Sequence, residues 1–540
     1  MRELAADLLV GRLVDWGVDT VFGRPGPDDG GVLAAFARFA GRIRLVVVRH
    51  EEVAALMASG YAKTTGRVGI CLATSGPGAL HLLAGLYDAK LDHQPVLAVT
   101  ESSATELLGT SFAQRLAVDA AYGDVADYNV RVDVPVQIPA VVDIGIGQAL
   151  AKGTVSHITL PDDLDETTIA ANPWMLRSGA GTPATAPLFQ PGPGVPPRRD
   201  LERAAAVLNR GARVAVLAGA GALGAREELL AVAERLASPI VKSLPGKAVV
   251  PDDHPLTTGC VGALGTRPSE EALAGADTLL VVGTNFPYAR NLPDPDAVRT
   301  VQVESDLDRV RAADADAALV GDAAETLDAL LPLLGRKPDR DFLASTQAGV
   351  ARWRARLVEL EDGGRDPVRP QYLLRTLDRL AAGDAVLAAD SGTVATWAAR
   401  HFDVRDHRQF LLSANLATAA AGLPYAMAAQ WASRGRQTIA VVGSDEFATL
   451  MAELRTAVGL GLPVKVVVCN TGPPPGEAGG LPAADYARWA QACGGLGVRV
   501  ERAAELEAGL REALAAEGTA LVDVLVDPHE QPRPAVAGGA

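Results

Sequence analysis

The chain has 540 residues, 48% apolar and 21% charged, a balance that excludes a disordered chain or a fibre. Its formal charge of −15, with no basic block, would repel a phosphate backbone and argues against nucleic acid as a partner. Cys71, Cys260, Cys469 and Cys493 stand far apart without metal-ligand spacing and read as reduced core thiols.

The N-terminal segment MRELAADLLVGRLVDWGVDTVFG carries Glu3, Asp7, Arg12 and Asp15 at helical spacing, which predicts a solvated helix and not a signal peptide. No apolar run reaches the roughly eighteen residues of a membrane span, so a soluble, cytoplasmic protein is expected. Short β-branched runs then alternate with Ala/Leu-rich helical stretches, beginning with DTVFG, RLVVVRH, VGICLAT and PVLAVTE. Runs such as Leu45–Val48 show no polar alternation, as suits parallel strands covered on both faces. The expected fold is α/β, with three Rossmann-like parallel-sheet units near 1–172, 195–335 and 368–530. A Pro/Gly-rich stretch over 172–200 and a charged helix within 336–368 separate them.

Ligands collect outside the carboxyl ends of parallel strands. In the first unit these ends carry Gly23-Arg24-Pro25-Gly26, Arg49-His50-Glu51-Glu52 and Thr74-Ser75-Gly76-Pro77-Gly78. Turn-forming glycines and glutamates favouring a helix start would explain the same residues without a site. In the second unit, Val214–Ala218 runs into Gly219-Ala220-Gly221, a strand–glycine–helix turn of dinucleotide type. Gly262, then Gly283-Thr284-Asn285-Phe286, then Glu304 and Asp322 follow at later strand ends, the two acids placed as carboxylates that hold ribose or ribityl hydroxyls are.

The order RHEEVAALMASGYAK, ATSGPGALHLLAGLYDAKLDHQPVLAVT, GTNFPY, DSGTVATWAARHF, ATAAAGLPYAMAAQ and TIAVVGSDEFATLMAEL resembles the thiamine-diphosphate enzymes. It is most similar to pyruvate oxidases and pyruvate:quinone dehydrogenases, with acetolactate synthases next. The resemblance implies a pyrimidine-binding first unit, an FAD-binding second and a diphosphate-binding third. Active sites would form between the first unit of one chain and the third of another, in a homodimer or homotetramer. Glu51 matches the family glutamate that hydrogen-bonds the aminopyrimidine, and burial there is expected to raise its pKa. Gln114 matches a family active-site glutamine. Gly262, Gly283, Asn285, Phe286 and Asp322 match segments that line FAD, which would extend from Gly219 to Asp322.

The third unit departs from that pattern. Ser444 stands where the family's Gly-Asp-Gly turn has its metal-binding Asp, with Asp445 and Glu446 following, and Thr471 replaces the liganding Asn beyond Asn470. Ala419 replaces a bulky wedge residue, and Pro473-Pro474-Pro475 interrupt the segment that closes over the diphosphate. Magnesium wants hard oxygen ligands, and two unbridged carboxylates would repel a diphosphate by about 4 kcal/mol per charge pair. The reading is therefore an FAD enzyme without thiamine diphosphate or magnesium. It would act on a small carbonyl or carboxylate substrate in a pocket of Arg24, His50, Glu51, Gln114, Ser391, Ala419 and Cys469. Glu51 would be the general acid or base, and Arg24 and His50 would bind a carboxylate or polarise a carbonyl. The alternatives are a thiamine-diphosphate-dependent 2-oxo acid decarboxylase, oxidase or carboligase with rearranged metal ligands, Asp445 among them, and a catalytically silent subunit. The chain ends soon after Asp527-Pro528-His529 with no amphipathic extension, so no membrane partner is expected.

Overall fold

The computed structural model describes residues 3–26, 30–107, 110–111, 116–165, 167–169, 194–284, 292–294, 296–310, 315–472 and 484–532. Three six-stranded sheets carry the chain, and every strand pairing within them is parallel. The first has the spatial order 44–47, 20–24, 69–73, 96–102, 155–161, 128–131. The second runs 257–260, 240–242, 214–218, 278–282, 299–304, 317–320, and the third 409–411, 386–389, 438–443, 465–470, 520–525, 496–500. Several inner strands, Val96–Ser102, Thr438–Gly443 and Lys465–Asn470, are buried at every position, because helices cover both faces.

Each sheet grows in one direction and then reverses, and a crevice opens where it does so. The reversals fall between Thr20–Arg24 and Gly69–Ala73, between Val214–Ala218 and Thr278–Val282, and between Val386–Ala389 and Thr438–Gly443. Arg24 and Thr74, Gly219 and Gly283, and Asp390 and Gly443 thus stand at three switch points.

The first and third units share one core. Helix Glu51–Thr65 packs on helix Gly422–Ala432, and their apolar residues form a single cluster. Gly60 makes this approach possible, since a Cβ there would lie 2.8 Å from Tyr425 Cδ1. Lys63 donates to Asp88 at 3.2 Å, Asp92 at 2.8 Å, the Tyr425 hydroxyl at 2.7 Å and the Leu412 carbonyl at 2.9 Å, joining the two units. The second unit has its own core and meets the third through Asp252, which accepts from Lys242, Lys247 and the Val404 amide. Among the described residues no helix is long and apolar enough to cross a membrane.

Candidate active site

Strand Arg44–Val47 passes through Val48 and Arg49 to His50, whose extended backbone caps the helix that begins at Glu51. The His50 ring accepts the Glu52 amide at 3.3 Å. Glu51 is 8% exposed. Its Oε2 lies 2.9 Å from His81 Nδ1 and its Oε1 3.7 Å from Arg24 Nε. The rings of His50 and His81 stack with centroids 4.6 Å apart, and a donor atom from each of His50, Glu51 and His81 falls within 4.8 Å of the others. Gly78 stands close by: a Cβ there would lie 2.8 Å from Thr74 Oγ1 and 3.5 Å from Glu51 Oε1.

The expected rise in the Glu51 pKa is reversed. Burial pushes it up, but the His81 hydrogen bond, a backbone amide and the charges of His81 and Arg24 together bring it below the ordinary carboxylate value. His81 escaped the sequence reading because GALHLL says nothing of a glutamate thirty residues earlier. Glu453 escaped it too: from helix Glu453–Gly459 its Oε1 accepts the amides of Arg49 at 2.7 Å and His50 at 2.9 Å.

The switch point of the third sheet is built around Asp390. This fully buried acid accepts the Gly422 amide at 2.8 Å and the Gly443 amide at 3.3 Å. Burial pushes its carboxyl up to about 7 against the Gly422 amide, and the charge of Glu446 adds to the rise. Ser444 starts helix Ser444–Leu450 and is buried. The Glu446 carboxylate folds back over the strand end: a Cβ on Gly443 would stand 2.1 Å from its Oε2, and one on Gly392 4.0 Å from its Oε1. That carboxylate spans the crevice between two strand ends with no hydrogen-bond partner among the described residues. Gly392, at φ 75°, leads into helix Thr393–His401 on the same crevice.

Asn470 is used internally, accepting the Gly472 amide at 3.0 Å and donating to Asp523 at 2.8 Å and the Ala484 carbonyl at 3.0 Å. Thr471 is exposed. Ser391 donates to the Thr418 carbonyl at 3.1 Å, Ala419 is exposed, and burial pushes the Cys469 thiol up to about 12. The seven residues expected in one pocket therefore fall into groups. Arg24, His50 and Glu51 meet at the first sheet, Ser391, Ala419 and Cys469 belong to the third unit, and Gln114 lies outside the described residues, as do Pro473, Pro474 and Pro475.

The glycines expected to cradle FAD have another use. The Gly219 amide donates to the Val282 carbonyl at 2.9 Å and the Gly221 amide to the Gly283 carbonyl at 3.0 Å. A Cβ on Gly219 would stand 2.3 Å from Thr284 Cβ, and one on Gly221 2.8 Å from Gly283 Cα. Two loops lie backbone to backbone, and those amides are not open to a phosphate. Asp322 caps helix Ala323–Leu330 by accepting the Glu325 amide at 3.0 Å. Gly262, at φ 97°, has open space where a Cβ would stand. Glu304 is buried, which raises its carboxyl to about 7. Asn285 and Phe286 lie outside the described residues. A cavity of about 370 Å³ in this unit, lined by Arg213, Glu271, Phe342 and Arg352 among others, includes none of these positions.

Three doubly wound sheets, with a buried glutamate at the first switch point and a buried aspartic acid at the third, define a multidomain α/β protein with ligand crevices at its switch points. The chain matches the thiamine pyrophosphate enzyme N-terminal TPP binding domain over residues 4–121 and the central domain over 201–330. It matches the C-terminal TPP binding domain over 390–473 and 471–524. It is 36% identical to the Bacillus subtilis protein named "Putative thiamine pyrophosphate-containing protein YdaP", over 99% of this chain and 93% of that one. It is 32% identical to pyruvate oxidase of Lactiplantibacillus plantarum over 86% of this chain and 76% of the relative. It is 29% identical to the acetolactate synthase large subunit of Corynebacterium glutamicum over 87% of this chain and 75% of the relative. The chain belongs to the thiamine pyrophosphate enzyme family, among its pyruvate oxidase-like and acetolactate synthase-like members.

These matches overturn the expectation of FAD in place of thiamine diphosphate, since both domains matched at the switch-point acids are TPP binding domains. The residues fit that cofactor. Glu51 is buried and held in one orientation at the first switch point, and at the third the Glu446 carboxylate has no hydrogen-bond partner among the described residues.

Proposed function

We propose that the protein is a thiamine-diphosphate-dependent enzyme acting on a 2-oxo acid by decarboxylation, oxidation or carboligation, with a rearranged metal end. The observation that carries this reading is the buried Glu51 carboxylate, held by His81 and Arg24 at a switch point. When bound, thiamine diphosphate supplies the electron sink that cleavage beside a carbonyl needs. Glu51 would hold the aminopyrimidine and exchange a proton with it at Oε1, while His81 keeps Oε2 in place. Glu446, with Asp445 beside it, would supply the hard anionic oxygens for a divalent cation, and the amides opening helix Thr393–His401 would face the diphosphate. Arg24 and His50, both part-exposed beside Glu51, would meet the substrate carboxylate.

A site shared between the first unit of one copy and the third of another would make the working form a homodimer or homotetramer, which light scattering on the purified protein checks. The functional test is titration calorimetry with thiamine diphosphate and magnesium, followed by a survey of 2-oxo acids for carbon dioxide release. Micromolar uptake with turnover supports the reading, and no uptake overturns it. Uptake without turnover of any 2-oxo acid would favour a catalytically silent subunit.

A further inference from the structure

The segment that presents Glu51 is held in place by another part of the chain. The Arg49 and His50 amides lie between the end of a strand and the start of a helix. Both donate to one oxygen of Glu453, more than four hundred residues away. Arg24 donates to the Arg49 carbonyl from the opposite side. Glu453 is 1% exposed, and its second oxygen is buried without a hydrogen bond of normal geometry. Burial pushes its carboxyl pKa up, opposed by the Thr456 hydroxyl and the two amides. A carboxylate is costly to bury unless its partners are fixed, and here the partners are the two peptide groups directly before Glu51.

We propose that Glu453 is a positioning residue, through which the third unit sets the geometry of Glu51 by way of the Arg49 and His50 amides. The inference rests on the cofactor role proposed for Glu51. Glutamine at 453 keeps an acceptor oxygen of the same reach and places its amide toward Thr456, whereas alanine leaves two amides unpaired.

The test combines Glu453→Ala and Glu453→Gln, each in the wild-type and Glu51→Gln backgrounds, with thiamine diphosphate affinity measured in the presence of magnesium. E453A is expected to weaken binding about tenfold or more, and E453Q to stay within about threefold of wild type. In the E51Q background the further effect of E453A should shrink to within about threefold, because the two residues act through one contact. Binding by E453A within about threefold of wild type, or a loss equally large in both backgrounds, would overturn the proposal. Amide hydrogen exchange over residues 44–57, measured without ligand, is expected to quicken in E453A and to stay at the wild-type rate in E453Q. If the wild-type protein takes up no cofactor, the function proposed above fails, and the exchange measurement alone decides the present one: unchanged exchange in E453A refutes it. Should E453A not fold, E453D, one methylene short of the two amides, replaces it.

Discussion

Glu51 Oε2 and His81 Nδ1 lie 2.9 Å apart, joining a buried carboxylate to a half-exposed imidazole. This contact outweighs burial at the glutamate: burial raises its pKa, and the His81 hydrogen bond, with a backbone amide and the charges of His81 and Arg24, brings it below the ordinary carboxylate value.

Replacing His81 with leucine should therefore change how stability depends on pH. In the wild type the folded-state pKa of Glu51 lies below its unfolded value of about 4.3. Its contribution is present above that value and is lost as pH falls through the folded pKa. In H81L burial is less opposed, so the pKa rises and the stabilisation at neutral pH is lost. Urea unfolding should find H81L weaker by about 1 kcal/mol at pH 7, with the gap closing only as pH falls through the lowered folded-state pKa of Glu51.

Glu51→Gln should abolish turnover of whichever 2-oxo acid the enzyme accepts, by about 10²–10⁴-fold, with the fold retained. A residue that only favoured the start of its helix would cost about 0.3–1 kcal/mol and leave activity nearly intact. Steady-state kinetics beside a thermal melt separate the two.

Glu446→Gln removes the charge but keeps the shape of the side chain that crosses the crevice over Gly443. Manganese affinity in the presence of thiamine diphosphate, read by electron paramagnetic resonance, should fall about tenfold, as loss of a charged oxygen ligand implies. Unchanged affinity would move the cation to Asp445.

Gly219→Ala tests the glycines of the second unit. The added methyl would press on Thr284 Cβ and the Gly283 carbonyl, at 2.3 Å and 2.5 Å before any relaxation. Overpacking of this kind costs about 1–3 kcal/mol, which denaturant unfolding should register, while thiamine diphosphate affinity stays within about threefold of wild type.

The sequence by itself determined the strands, their parallel arrangement and the three-sheet fold. These depend on short-range patterns: apolar runs such as Leu45–Val48 and Val214–Ala218 without polar alternation, each followed by a helix-period stretch. It also placed Glu51, His50 and Arg24 at strand ends, because strand ends are marked by local turn chemistry. Only the tertiary structure decided what those residues touch. The charge of Glu51 depends on His81 thirty positions away, and its orientation on Glu453 at the other end of the chain. The Asp390 carboxyl is pushed up to about 7 by burial and the charge of Glu446, neither of which DSGTVATWAARHF contains. Gly219 and Gly221 read alike as phosphate cradle or packing glycine until the second loop, at Gly283, is seen lying against them. The acids replacing the family turn looked like a barrier to a diphosphate when read in line. In three dimensions Glu446 bends back across the crevice between Gly443 and Gly392, and that placement is what the proposed cation role rests on. Local pattern sets secondary structure because backbone hydrogen bonding and burial repeat every few residues. A site is made of contacts between distant segments, and only the packed chain brings those together.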